Sequence, residues 1–266
     1  MMAGLNAYQT LDNIIRDYDY GNKVYSNKAD IGHLAITKFI QLIGNKKRHG
    51  FFFTLNQDIF IERYVMSSSP SGPLPANHLV CPGVKCNYSR FHNKGGTKEL
   101  ESADLVKVLK DKELEKAKMD FRKSPDCLHY IKLHGSYDWR DEKNQTKMII
   151  GTNKPGQIEK EPLLSWYFQL FKEVLILGNR RLLIIGYGFG DPHINDVIID
   201  AIKRHNLKIY VMSPDDPKNF RRRMDDIDWN IYRATSGYYQ CTLKELFPIV
   251  GNSPRYTNFK KEFLFL

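Results

Sequence analysis

Apolar positions in the first part of the chain predict two helices and then a strand. Apolar residues recur at helical spacing from Leu11 to Tyr18 and again from Leu34 to Ile43. The continuous run Phe51–Leu55 is typical of a strand that is buried on both faces, and residues 59–64 can form the helix after it. The last two segments predict a strand–turn–helix unit.

In the second part of the chain, strand-like and helical segments alternate. Strands are predicted at residues 130–133, 148–150, 182–185 and 208–212, and helices at residues 162–177 and 192–204. Such alternation is typical of an α/β fold with a Rossmann-like, doubly wound parallel sheet.

The segment between these two parts differs in composition. Residues 65–98 are rich in Ser, Pro, Gly and Asn, which predicts a long loop, and the charged residues 99–122 predict an exposed helix. We therefore predict a single domain over residues 1–266, with a small helical and loop module inserted at residues 65–125.

Composition limits the class of protein. Of the 266 residues, 42% are hydrophobic and 26% are charged, which excludes a disordered or collagen-like chain. Apolar runs such as Leu182–Ile185 are far shorter than the ~18–20 residues of a membrane helix, so neither a membrane span nor a signal peptide is expected. The four cysteines are expected to be free thiols in a reducing compartment, which predicts a cytoplasmic protein.

The net charge of +10 favours anionic partners such as nucleotides, nucleic acid or an acidic protein surface. Basic residues form short clusters at positions 46–48, 180–181 and 221–223. In the sequence, none of these is interleaved with the aromatic residues that a base-stacking groove requires. We interpret the clusters as solvated surface.

Polar or glycine-rich segments follow three of the predicted strands. They are Asn56–Asp58, His134–Ser136 and Gly186–Asp191. Because ligands of doubly wound sheets bind beyond the carboxyl ends of the strands, these segments together predict a ligand site.

Each segment also has a purely structural interpretation. Asn56 can close its strand in an Asx turn. His134 is either a general base that faces the crevice or a side chain that satisfies a nearby backbone group. The glycines of Gly186–Asp191 either let backbone amides approach a phosphate or ribose, or form a tight turn before a helix that begins at Asp191 and Pro192.

Three segments resemble a known family. Residues 54–58, Thr-Leu-Asn-Gln-Asp, match the Thr-x-Asn-x-Asp segment of sirtuins, and residues 132–136 are similar to their His-Gly element. Residues 183–195 closely resemble the sirtuin-like domains of bacterial anti-phage defence systems, and the order and spacing of the segments agree. The resemblance extends over residues 1–215 and implies a Rossmann-type NAD-binding domain.

The resemblance also implies roles for individual residues. Asn56 would orient the attacking water beside the nicotinamide ribose, and His134 would be the catalytic base. Asp58 would hold the nicotinamide end of NAD, and Ser213 would approach the adenosine ribose. The other residues implied to line the NAD site are Gly4, Thr54, Gly186, Gly188, Phe189 and Asp191.

The chain departs from the sirtuin pattern in three places. Residues 2–7 resemble only the end of the family's Gly-Ala-Gly phosphate loop, so either the true start of the protein lies upstream or the protein lacks the first strand and part of the phosphate cradle. Leu55 stands where protein-deacylating sirtuins usually carry Gln. The four cysteines, at positions 81, 86, 127 and 241, form no Cys-x-x-Cys pair for a structural zinc. Because these pairs are missing, deacylation is disfavoured. A mixed site of His78, Cys81, Cys86 and His92 matches no familiar zinc spacing, so no zinc is expected.

These observations favour a cytoplasmic NAD hydrolase that releases nicotinamide and ADP-ribose, acting in anti-phage defence by NAD depletion. The expected partners are a second copy of the chain, a defence protein such as an ATPase or an Argonaute-type protein, or a phage trigger, with nucleic acid involved only indirectly. Two alternatives stay open. A non-catalytic subunit that binds NAD or ADP-ribose is favoured by the shortened phosphate loop, and a nucleic-acid-binding accessory subunit is suggested by the net charge.

Overall fold

The computed structural model describes residues 7, 10, 39–40, 50–62, 79–85, 106–122, 128–248, 254–259 and 261. The chain forms two units, Met1–Phe168 and Gln169–Leu266. In the described ranges, no helix has both the length and the apolar character needed to cross a membrane.

The first unit contains a parallel sheet of three strands. Its order is β1 (Gly50–Thr54), β5 (Leu128–Lys132) and β2 (Leu79–Val80). Every residue of the central strand β5 is buried, whereas four of the five β1 residues are half-buried. The prediction that the Phe51–Leu55 run is buried on both faces is therefore wrong, because β5 takes the central position.

A second sheet of the same unit mixes parallel and antiparallel strands. Its order is β3 (Val84–Lys85), β4 (Val106–Val108), β6 (Gly135–Arg140) and β7 (Thr146–Met148), and only β4 and β6 are parallel to each other. The helices here are α1 (Asp111–Arg122) and α2 (Lys154–Glu159), and a third helix, α3 (Pro162–Ile176), begins in this unit and ends in the second. The single helix predicted over residues 99–122 is wrong, since β4 interrupts it and α1 begins only at Asp111.

The second unit contains the parallel sheet β10-β9-β8, formed by Thr235–Gln240, Lys208–Ser213 and Arg181–Ile185. Its helices are α4 (Pro192–His205), α5 (Pro217–Ile227), α6 (Trp229–Ala234), α7 (Leu243–Leu246) and α8 (Pro254–Phe259). In α4 the buried apolar residues Ile194, Val197, Ile198 and Ala201 recur three or four positions apart, which places them on one helix face.

The predicted α/β class with parallel, Rossmann-like sheets is confirmed. The described strands belong to three sheets, where the sequence had predicted one. Residues 39–40 are helical and buried, and the rest of the two predicted amino-terminal helices lies outside the described residues, apart from positions 7 and 10. The inserted module at residues 65–125 stays a prediction.

Candidate functional site

The first two predicted site segments lie side by side. β1 and β5 are parallel and pair from Gly50 with Leu128 to Thr54 with Lys132, so both strands end at the same edge. Just beyond this edge, the Leu133 amide donates a hydrogen bond of 3.0 Å to the Thr54 carbonyl. The topology thus brings the loop of Asn56 next to the loop of His134, although 77 residues separate Gln57 from His134 in the sequence.

The Asn56–Asp58 loop is built around its own short side chains. The Asn56 amide donates to Thr54 Oγ1 at 3.0 Å, and the Asn56 side chain is exposed. Asp58 Oδ1 accepts a hydrogen bond of 2.9 Å from the Phe60 amide, at the start of the helical residues 60–62. The side chains of Thr54 and Asp58 close the turns of this loop. Among the described residues, the Asn56 side chain closes no Asx turn, and its carboxamide is accessible to a ligand.

His134 lies in the two-residue turn between β5 and β6, two residues beyond the end of β5. Its residue exposure is 3%, so it is less accessible than the sequence suggested. The His134 carbonyl accepts hydrogen bonds from the Ile149 amide at 2.9 Å and from Gln57 Nε2 at 3.2 Å.

A cluster of buried charges lies behind the Asn56 loop. Lys132 and Glu62 form an ion pair of 2.6 Å between Nζ and Oε1, with 0% and 1% side-chain exposure. Lys132 Nζ also donates to the Asp58 carbonyl, which ties β5 to the loop. Glu62 Oε2 accepts from the Tyr130 hydroxyl at 3.3 Å. The fully buried strand β5 therefore carries a full positive charge on Lys132, which is paired with the Glu62 carboxylate from the segment after β1.

Asp138 adds a second carboxylate to this cluster. It is fully buried, and within the described part of the chain neither of its oxygens has a hydrogen-bond partner. Ser136 donates its hydroxyl proton to the Gln57 carbonyl at 2.9 Å. Burial raises the pKa of Asp138, and Lys132 opposes this rise.

The charges of the cluster affect one another. Burial raises the pKa of Glu62 to about 7, although Lys132 lowers it, and Asp138 adds to the rise. For Lys132, burial lowers the pKa, but the attraction of Glu62 and Asp138 outweighs burial and leaves that pKa raised. The ammonium therefore stays charged, while the two carboxyls compete for it.

The third predicted segment lies in the second unit, after β8. Gly186 has a φ of +65°, and its amide donates 3.1 Å to the Met212 carbonyl of β9. Phe189 also has a positive φ, +59°, with its side chain buried against Phe220 at 5.9 Å between ring centroids. Asn195 of α4 holds this conformation, because its Nδ2 donates to the Phe189 carbonyl at 2.9 Å.

The glycines of this turn have free space around them. Gly186, Gly188 and Gly190 are exposed, and no described atom lies within 4 Å of a Cβ built on any of them. Asp191 occupies the N-cap position of α4 without a side-chain capping bond to that helix, and Pro192 follows as the sequence predicts. Ser213 is the last residue of β9, and its hydroxyl accepts from the Asp215 amide at 3.2 Å.

The site has supporting residues that sequence reasoning missed. Gln57, Lys132, Tyr187 and Asn195 each bond to one of the predicted segments, and Glu62 pairs with Lys132. A lysine in the otherwise apolar run Tyr130–Leu133 was a usable signal, since a buried charge requires a partner. Gly4 lies outside the described residues.

The basic cluster at residues 221–223 is mostly exposed, as interpreted, but it has aromatic neighbours that its sequence does not show. Arg221 and Arg222 are exposed, in agreement with a solvated face. However, the Arg221 guanidinium lies 5.2 Å from the Trp229 ring centroid and 5.6 Å from that of Tyr232. Aromatic residues therefore do accompany this cluster in space.

Comparison with known families now assigns the chain. Residues 50–232, more than half of the chain, match the model of the SIR2-like domain. The chain belongs to the SIR2-like family. SIR2-like domains are commonly NAD-dependent enzymes, and the family uses NAD as a substrate. A comparison with curated proteins found no significant match.

The SIR2-like match includes every predicted site residue except Gly4. The roles of those residues toward NAD stay predictions. Of the four cysteines, Cys81 and Cys241 are described, and both are buried. The other members of the mixed His and Cys set lie outside the described residues, and the absence of zinc stays a prediction.

Proposed function

We propose that this SIR2-like domain is an NAD hydrolase that cleaves the bond between nicotinamide and ribose. The observation that carries the proposal is the pairing of β1 with β5, which brings the Asn56 and His134 loops together within the matched domain. An amide and an imidazole at one sheet edge are suited to orient a water molecule and to accept its proton.

The reaction requires little covalent chemistry from the protein itself. The water oxygen bonds to the ribose carbon as the bond from that carbon to the nicotinamide nitrogen breaks. The electron pair of the broken bond neutralises the ring nitrogen, and the proton of the water passes to His134. The chain would contribute orientation, through Asn56, and a proton acceptor, so nicotinamide and ADP-ribose are the products.

Release of nicotinamide from NAD by the purified chain tests this proposal. Asn56→Ala and His134→Ala should each lower turnover by about 10²–10⁴-fold while the melting transition stays cooperative. Asn219→Ala and His205→Ala are matched controls, since these residues lie on α5 and at the end of α4. A variant at position 56 or 134 that keeps more than about a tenth of the wild-type turnover would exclude that residue from catalysis.

A non-catalytic subunit that binds NAD or ADP-ribose is the second candidate. The low exposure of His134 and the use of Asp58 Oδ1 to cap residues 60–62 favour it, because both reduce what the loops offer to a reaction. Binding of ADP-ribose without any release of nicotinamide from NAD would support this candidate over the hydrolase.

We further propose that NAD cleavage serves anti-phage defence, together with a second copy of the chain or with a partner defence protein. The resemblance of residues 183–195 to defence-associated domains supports this role. Cellular NAD is the measurement: it should fall after infection in bacteria that express the wild-type chain and stay constant with His134→Ala.

A further inference from the structure

Gln57 lies between two of the predicted site residues, and its own exposure is 4%. A buried glutamine is costly unless its amide group finds partners. Its Nε2 donates to the Ile149 carbonyl at 2.5 Å and to the His134 carbonyl at 3.2 Å. Both amide protons of the side chain are thus used on backbone carbonyls from the other loop and its neighbour.

The backbone of Gln57 makes a second set of contacts with the same region. Its carbonyl accepts from Ser136 Oγ at 2.9 Å and from the Tyr137 amide at 3.2 Å. Four hydrogen bonds therefore join this residue to the segment that runs from His134 to Tyr137 and to Ile149.

These bonds fix the position of His134 relative to Asn56. The His134 carbonyl is held between Gln57 Nε2 and the Ile149 amide, and Asn56 is the residue directly before Gln57. Any displacement of Gln57 therefore changes the distance between the two side chains that the proposed reaction needs together. Losing the side-chain bonds also leaves two buried carbonyls with fewer donors.

We infer that Gln57 is a positioning residue, whose two amide protons hold the Asn56 and His134 loops in the arrangement that cleaves NAD. The inference rests on the proposed hydrolase function. A misplacement of about 1 Å near a reacting group can cost about 10²-fold in rate, so removing the two Gln57 side-chain hydrogen bonds should lower kcat strongly. The Gln57 side chain itself need not touch NAD, so KM should change little.

The main test uses Gln57→Met, which keeps the length of the side chain and removes both donors, and Gln57→Glu, which replaces the amide by a carboxylate. We expect kcat for nicotinamide release to fall about 10–100-fold, with KM and the affinity for ADP-ribose within about twofold of the wild type. A residue with only a structural role would not lower kcat while leaving KM unchanged. Its loss reduces the amount of folded enzyme, and dividing the rate by the measured active fraction corrects for that reduction.

Gln157 provides a matched control. Its Nε2 also donates to two backbone carbonyls, of Ile150 at 3.0 Å and of Thr152 at 2.7 Å, but it bonds to neither catalytic loop. Gln157→Met should lower the melting temperature, by less than Gln57→Met does because Gln157 is only half-buried, and should leave kcat unchanged. Equal loss of kcat in both variants would overturn the inference, and so would an unchanged kcat in Gln57→Met.

A second measurement does not depend on activity. The ring Cε1–H resonance of His134, assigned through its loss in His134→Ala, should shift and broaden in Gln57→Met but not in Gln157→Met. If the wild-type chain releases no nicotinamide, the hydrolase proposal fails, while this resonance still shows whether Gln57 positions His134. If the chain is active and the resonance does not move, the positioning role fails and the hydrolase proposal stands.

Discussion

Two of the predicted segments contain glycines that show opposite kinds of packing. Gly135, in the first unit, has a φ of +70°, and a Cβ at this position would overlap the Lys147 backbone carbonyl. Gly186, in the second unit, has a similar φ of +65°, yet a Cβ there would meet no described atom within 4 Å. At Gly135 the neighbouring backbone leaves room only for glycine, whereas at Gly186 the space beside the glycine is open.

We predict from this difference that Gly135 has a structural role, whereas the exposed glycines of the Gly186–Gly190 turn face a ligand. The Gly135 segment continues from a buried strand, and Gln57, Ser136 and the buried Lys132 pair hold it in place. The glycines of the Gly186–Gly190 turn are exposed, and the turn is held from one side by Asn195 and Tyr187. The Tyr187 hydroxyl donates to Asn195 Oδ1 at 2.9 Å. Substitutions in the first segment should therefore change stability, and those in the second should change ligand affinity.

The largest expected effect is that of Lys132→Met. It leaves Glu62 and Asp138 buried without their cation, and removal of one partner of a buried ion pair typically costs about 3–5 kcal/mol of unfolding free energy. Lys85→Met is the control, because Lys85 and Glu113 form an exposed pair whose loss should cost under about 1 kcal/mol. Urea unfolding measures both, and similar losses would show that burial of the pair is not what matters.

Gly135→Ala should cost about 3 kcal/mol or more, from left-handed strain together with overlap on a backbone atom that cannot rotate away. Gly151→Ala isolates the strain, because Gly151 has a φ of +80° and no described atom within 4 Å of its Cβ. We expect about 1–2 kcal/mol for the control. Equal losses for the two variants would contradict the close contact with Lys147.

The next effect is a dependence of stability on pH. Because the pKa of Glu62 is about 7 in the folded chain against 4.5 for an ordinary glutamate, the folded state binds this proton more tightly. The unfolding free energy should then fall as pH rises from 4.5 to 7, by at most about 1.4 kcal/mol per pH unit. The raised pKa of Asp138 acts in the same direction.

Glu62→Gln isolates this contribution. The variant removes the proton in question, so its unfolding free energy should depend less steeply on pH than that of the wild type between pH 5 and 7. Parallel curves from urea unfolding at each pH would show that Glu62 titrates normally in the folded chain.

The parts of the fold that could be predicted are those with long or periodic apolar patterns. The strands at Leu128–Lys132, Arg181–Ile185 and Lys208–Ser213 begin and end within two residues of the prediction, and so do α3 and α4. The two-residue strands Leu79–Val80 and Val84–Lys85 are too short to show a period of two. β10, with the sequence TSGYYQ, has too few apolar residues to be recognised as a strand.

The loops of the site could be located from the sequence, but the residues that hold them in position by hydrogen bonds could not. Asn56 and His134 follow predicted strands, and parallel pairing explains why they meet. The bonds of Gln57 join residues 77 and 92 positions apart, and no local pattern shows such partners. The low exposure of His134 likewise depends on tertiary packing.

The smallest expected effect on stability is that of Gly188→Val, which tests the open side of the comparison. Gly188 is exposed, does not have a positive φ, and has no described atom within 4 Å of its Cβ, so the free energy of unfolding should change by under about 0.5 kcal/mol. If the turn approaches the ribose-phosphate portion of NAD, the valine occupies that space, and the dissociation constants for NAD and ADP-ribose should rise together, since both contain that portion. Titration calorimetry with ADP-ribose beside a melting curve measures the two quantities, and Gly188→Ala should show the smaller rise of a single methyl group. A valine variant that melts like the wild type and binds ADP-ribose equally well would mean that the open space around this turn is not where the cofactor binds.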